Sequence, residues 1–154
     1  AYESPEIIRK ISNKFGSQSV VVSLDVGKSF LLGTGLYAKS GTFRVKGKIQ
    51  NWVSRFVDCG VGEFILNDIS RDGTFCGYNY ELINMVSTLI NVPLTALGGA
   101  GSYEDMRVAL NNGAQAVSAS SLFVYRNNNI NSILIDYPKY ESVKEEFGSY
   151  KYRN

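Results

Sequence analysis

Three segments of this 154-residue chain close a short apolar run with glycine or small hydroxyl residues. They are Asn67-Asp-Ile-Ser-Arg-Asp-Gly-Thr74, Leu97-Gly-Gly-Ala-Gly-Ser102 and Ser118-Ala-Ser-Ser-Leu-Phe123, and each precedes a helical pattern. Such strand-to-helix junctions expose backbone N–H groups beside a helix N-terminus, where hydrogen bonds and the helix dipole act together on an anion. The chemistry they suit is the holding of a phosphate. Asp72, Gly73, Gly98, Gly99, Ser120 and Ser121 are the candidate contacts, with Asn67 a further substrate-binding candidate. A separate apolar run, Ser19-Val-Val-Val-Ser-Leu-Asp25, ends in a carboxylate that could carry protons. Histidine is absent, which removes the usual acid/base group at neutral pH. Proton transfer must therefore fall to Asp, Glu, Tyr, Lys or Cys. A carboxylate with an ordinary pKa of about 4 needs burial or a neighbouring charge to do that work at neutral pH.

Each of these residues also has a plainer reading. Arg71-Asp72-Gly73 suits a tight turn in which Gly73 supplies a positive φ. Gly98 to Gly101 suit close strand–helix packing, and Asp25 suits the capping of a loop backbone. Singly, each glycine motif is weak. Together with Ser120 and Ser121, the amides and hydroxyls converge on one site, and barrel strand ends are where chemistry gathers. Glu63 has the plain reading of a solvated acid at a strand start. Cys59 and Cys76 form no CxxC pair and are expected to be free thiols. With no histidine to activate it, Cys76 has no nucleophilic role. With histidine absent, no zinc site is expected.

The composition sets limits on the rest. Sixteen basic residues against 14 acidic ones leave no broad nucleic-acid or membrane footprint. Apolar residues make up 44%, enough for a packed core and too many for a disordered chain. No apolar stretch approaches the roughly 20 residues that span a bilayer. No basic segment leads into an apolar one at the start, and a cytoplasmic protein is expected.

The elements that must position these residues alternate along the chain. Helical spacing of Ile7, Ile8, Ile11 and Phe15, with Ser4 as N-cap and Pro5 at the first helical position, predicts a helix within 1–16. A buried strand over 19–25 follows, then a two-stranded hairpin over 30–46 turning at Lys39-Ser40-Gly41. Ile49, Trp52, Val53, Phe56 and Val57 predict a helix over 49–59. Strands are expected at 62–67, 92–97 and 115–120, and helices at 80–90, 102–112 and 130–137. The helix over 102–112 opens with a capping-box-like Ser102 to Asp105. The tail after Pro138 is charged, aromatic and weakly patterned. Strands alternating with helices favour an α/β domain with a parallel sheet. An open doubly wound sheet also fits the pattern. Two small-residue junctions near the C-terminus favour a (β/α)8 barrel, whose phosphate grip follows strands 7 and 8. Since such a barrel usually needs about 250 residues, this chain would supply one half.

At these residues the chain resembles the HisF family, the cyclase subunit of imidazole glycerol phosphate synthase. The resemblance is carried by Phe15-Gly-Ser-Gln-Ser-Val-Val-Val, the Asp25 strand end, Gly62-Glu63, Arg71-Asp-Gly-Thr with Gly77-Tyr78, and Gly98-Gly-Ala-Gly101. It covers nearly the whole chain but only the second half of the family's barrel. It implies that the strands are the fifth to eighth of a TIM barrel. It also implies a lyase-type cyclase that takes ammonia from a glutaminase (HisH-like) partner and acts on a phosphorylated ribulose nucleotide or sugar, without metal or cofactor. By position, Asp25 would be one of two aspartates acting as general acid and base. Asp72, Gly73, Gly98, Gly99, Ser120 and Ser121 would hold a phosphate, and phosphate or sulfate is expected there. Glu63 would belong to the charged ring where ammonia enters.

The sequence departs from the histidine-pathway pattern at Leu97, in Ser121-Leu-Phe-Val-Tyr125, and in Leu134-Ile-Asp-Tyr-Pro138. There it looks more like a paralogous branch associated with acetamidino modification of bacterial surface sugars. A histidine-biosynthesis cyclase is the alternative, and a non-catalytic phosphate-binding half-barrel is the second. Half a parallel barrel leaves open strand edges and apolar surface, so a homo-oligomer is expected. The helix-first opening points to a longer natural protein.

Overall fold

The computed structural model describes residues 1–125, 133, 135 and 137–148. Helix α1 (Glu6–Phe15) leads through a short 3-10 turn into β1 (Val21–Ser29). Then come β2 (Gly33–Ala38), β3 (Phe43–Arg44), α2 (Ile49–Asp58), β4 (Glu63–Asp68) and α3 (Tyr80–Ser87). The chain continues with β5 (Leu94–Leu97), α4 (Tyr103–Asn111), β6 (Ala116–Val117), α5 (Ser121–Val124) and α6 (Tyr140–Phe147). The strands form one sheet in the order β3-β2-β1-β4-β5-β6. The pairs β1–β4, β4–β5 and β5–β6 are parallel, whereas β2 runs antiparallel to both β1 and β3. This is an α/β fold with a mostly parallel sheet.

Strand alternation divides the sheet into two unlike faces. Val22, Leu24 and Val26 of β1, Phe64 and Leu66 of β4, and Leu94 and Ala96 of β5 are buried. They form one core with Ile8, Val53, Phe56, Leu82, Ile83, Val86, Met106 and Ala109 from α1 to α4. The helices therefore cover this face. Residues of the other parity, including Ser23, Asp25, Ile65, Asn67, Thr95 and Leu97, are half-buried or exposed, and this is the face that carries the polar candidates.

Several expectations need correction. Strand β1 does not end at Asp25: it runs on to Ser29, because β2 pairs along it from Asp25↔Tyr37 to Ser29↔Gly33. Pro5, not Ser4, precedes α1, and no side chain caps that helix. Strand β6 has two residues where six were expected. The weakly patterned tail contains α6, whose Phe147 packs edge-on against Tyr103 of α4. Most of the helix expected over 130–137 lies outside the described residues; Ile133 forms an antiparallel bridge to Tyr125.

Candidate functional site

The parallel register sets Asp25, Asn67 and Leu97 side by side in one row across β1, β4 and β5. Asp25 is therefore on the rim from which the glycine turn after Leu97 departs. Its Oδ1 accepts hydrogen bonds from Ser23 Oγ at 3.0 Å and Asn67 Nδ2 at 3.3 Å. The negative charge of Asp25 also reaches Tyr2, whose hydroxyl is pushed up first by burial and second by that charge. The Tyr2 ring is held among Trp52 and Phe56, its centroid 5.2 and 5.4 Å from theirs.

The loop that follows β4 is shaped by Asp68, the one buried charged residue among the described residues. Its carboxylate accepts from the Ser70 backbone N–H at 3.0 Å and from Asn79 Nδ2 at 2.8 Å, with Arg71 Nε at 3.8 Å. Asn79 uses its other amide atom as the N-cap of α3, accepting from Leu82 N–H. One carboxylate thus fixes both ends of the 68–79 loop. The same loop is tied to the next two junctions. Gly77 N–H donates to the Gly99 carbonyl at 2.8 Å, and the buried Tyr78 hydroxyl donates to the Ser118 carbonyl at 2.9 Å. Tyr80 donates to Asp105 Oδ1, while Asp105 Oδ2 accepts from Gly101 N–H and Ser102 Oγ. Ser102 Oγ accepts in turn from Asp105 N–H, closing the start of α4 as a reciprocal cap.

These ties bring six of the sequence-predicted residues together. Asp72, Gly73, Gly98, Gly99, Ser120 and Ser121 line a single small cavity with Leu97, Ala100, Ser118 and Ala119. Its lining is rich in glycine and serine, with one carboxylate residue. Gly98 has φ +93°, and a Cβ there would stand 2.5 Å from the Asp68 carbonyl and 3.1 Å from Asn67 Oδ1. At Gly99, φ +102°, a Cβ would collide with the Gly77 carbonyl. Only glycine lets the two backbones approach so closely there.

Asn67 does not line this cavity; it reaches Asp25 on one side, and its Oδ1 lies near Gly98 on the other. Glu63 is at the far end of β4, in register with Val21. It is four steps along the strand from Asn67, roughly 13 Å at about 3.3 Å per residue. Its Oε1 accepts from Thr95 Oγ1 at 2.8 Å. Cys76 is exposed and Cys59 buried, both as free thiols.

The sequence reading missed Asp68, Tyr78, Asn79 and Ser23. Asn79, directly before Tyr80-Glu-Leu, carried an N-cap signal. Asp68 carried none, because its partners become neighbours only when the loop closes. Among the described residues no cluster of His, Cys, Asp and Glu could hold a metal ion. No helix among them is long and apolar enough to cross a membrane.

A family model described as histidine biosynthesis protein matches residues 1–129. Imidazole glycerol phosphate synthase subunit HisF of Dictyoglomus thermophilum is 41% identical over 123 residues, 80% of this chain and 49% of that protein. The HisF subunit of Chlorobaculum tepidum is 37% identical over 130 residues, 82% of this chain and 50% of its own length. A Leptospira interrogans protein provisionally named as the same subunit is 36% identical over 149 residues, 96% of this chain and 58% of that protein. The chain thus spans about half the length of the curated relatives it matches. With a model match over most of its residues, the chain belongs to the histidine biosynthesis protein family, and its relatives there are HisF subunits.

Proposed function

We propose that this chain provides the phosphate-gripping, proton-transferring half of a HisF-type cyclase. The observation that carries this reading is the convergence of three strand-to-helix junctions on one cavity beside the Asp25 row. In this reading β1, β4, β5 and β6 are strands five to eight of a (β/α)8 barrel. The cavity lined by Asp72, Gly73, Gly98, Gly99, Ser120 and Ser121 holds one phosphate of a phosphorylated ribulose nucleotide or sugar. Asp25, with Asn67 beside it, exchanges protons as ammonia adds to an electrophilic carbon. Glu63, at the opposite strand end, belongs to the mouth where ammonia enters from a glutaminase partner. The substitutions at Leu97 and in Ser121 to Tyr125 favour a surface-sugar branch over the histidine-pathway substrate.

Calorimetric titration with inorganic phosphate tests the grip. Ser121→Ala is expected to weaken phosphate binding about tenfold, since a hydrogen bond to a charged oxygen contributes about 1.5 kcal/mol or more. No phosphate binding by the wild-type chain would overturn the reading. Turnover is tested by mixing the chain with a glutaminase, ammonia and candidate substrates, with Asp25→Asn as control. Phosphate affinity without turnover in either protein would favour a binding module over an enzyme.

A further inference from the structure

Two neighbours hold the resting geometry of Asp25: Ser23 Oγ at 3.0 Å and Asn67 Nδ2 at 3.3 Å. A carboxylate only accepts hydrogen bonds, so the contact from Nδ2 to Asp25 decides which end of the Asn67 amide faces it. Asn67 Oδ1 is thereby turned into a buried position without a hydrogen-bond partner among the described residues. It lies over Gly98, in the space that a Cβ at that glycine would enter. A buried acceptor without a donor is costly, and an apolar residue there would avoid the penalty. Of the neighbours of Asn67 on this face, Ile65 and Leu97 are apolar, and Asp25 is directly in register.

We infer that Asn67 is a positioning residue that holds Asp25 through both of its protonation states. With Asp25 ionised, Nδ2 donates to Oδ1 of the carboxylate. When Asp25 takes a proton from the ligand, its new O–H needs an acceptor. The amide then turns over: Oδ1 accepts from Asp25, and the NH2 group takes the place over Gly98, on the side of the Asp68 carbonyl. The acceptor left bare in one state is used in the other. Asn67 exchanges no proton itself; the proton passes only between Asp25 and the ligand. The inference rests on the proposed acid/base role of Asp25. Other groups also face Asp25. Ser23, on the same strand, donates to the same carboxylate oxygen, and its hydroxyl can accept as well as donate. Tyr37 is directly opposite on β2, with the Arg44 guanidinium over its ring at 5.7 Å. Tyr2 approaches from the N-terminal segment with its proton firmly held. Asp68 faces the helices, and Glu63 lies at the other strand end.

The test is an NMR titration of the labelled chain from pH 3 to 8, following Asp25 13Cγ and the Asn67 side-chain 15N. The two are expected to move with a shared midpoint. In Asn67→Leu the Asp25 13Cγ shift is expected to change at both the acid and the neutral plateau, since the carboxylate loses a donor and the carboxyl loses an acceptor. An Asn67 of purely structural worth would lower thermal stability and leave both plateaus in place. Should the leucine variant fail to fold, Asp25→Asn carries the test, and the Asn67 step must vanish in it. The inference is overturned if the Asn67 signal stays flat while Asp25 titrates in wild type. Unchanged Asp25 13Cγ plateaus in folded Asn67→Leu, or an Asn67 step that survives in Asp25→Asn, overturn it equally. None of these readouts needs bound phosphate, so a failure of the grip and a failure of this inference are separable.

Discussion

Asp68 and Asn79 show how single side chains hold the candidate site in shape without touching its cavity. Their hydrogen bond spans the loop carrying Asp72 and Gly73, which line that cavity. Tyr78 and Tyr80 complete the brace to the next two junctions. Burial is the main reason both tyrosines hold their protons more tightly, with Asp105 adding to it. Tyr80 is pushed up from 10.0 to about 12, and Tyr78 and Tyr2 are also raised. Below pH ~10 the folded and unfolded chains both keep these protons. Above it the unfolded chain releases them while the folded chain retains them, so stability falls as pH rises, for Tyr80 through about 12. Urea midpoints measured from pH 9 to 11.5 are expected to decline, and ultraviolet titration should show three of the ten tyrosines ionising late. Ten tyrosines ionising together in the folded protein, with a level urea midpoint, would contradict this.

Among the elements, α3 depends most on a single residue. Asn79→Ala removes its N-cap, worth about 1 kcal/mol, and strips a donor from buried Asp68, worth roughly another 1–3 kcal/mol. A loss of about 2–4 kcal/mol is expected, or a melting midpoint lower by at least 5 °C for a domain of about this size; an unchanged midpoint would remove Asp68 and Asn79 as the brace. The α/β class and mostly parallel sheet could be read from the sequence because buried runs alternate with helical patterns, and both signals are local. The continuation of β1 to Ser29 was not legible. It depends on pairing with β2 across a turn, and Val26-Gly-Lys-Ser29 carries no strand pattern of its own. Helix α6 was missed for a similar reason: its apolar residues are sparse, and Phe147 finds its partner, Tyr103, on a distant helix. At the site, the glycines and serines announced themselves by type. The Asp68–Asn79 brace did not, because a polar residue bound for burial looks in sequence like any other.

For the molecule as a whole, the face and edges left open are as informative as the core. Strand β2 covers β1 only from Asp25 onward, so Val21 to Leu24 have a ladder partner on β4 alone among the described residues. Val21 is 51% exposed, and Ile7, Ile11 and Phe15 form an exposed stripe along α1. An edge and a stripe of this kind favour association. Sedimentation at micromolar concentration is expected to show a species larger than 17.0 kDa, and a lasting monomer would contradict that expectation. The central claim is that three junctions after β4, β5 and β6 act as one anion grip on the Asp25 rim. The most direct measurement is a titration of the 15N-labelled chain with inorganic phosphate, read at every backbone amide. Gly73, Gly98, Gly99, Ser120 and Ser121 are expected to shift together and saturate on one binding curve, with Glu63 and Thr95 unmoved. Amides that stay in place at millimolar phosphate, or that shift at the Glu63 end instead, would contradict the claim.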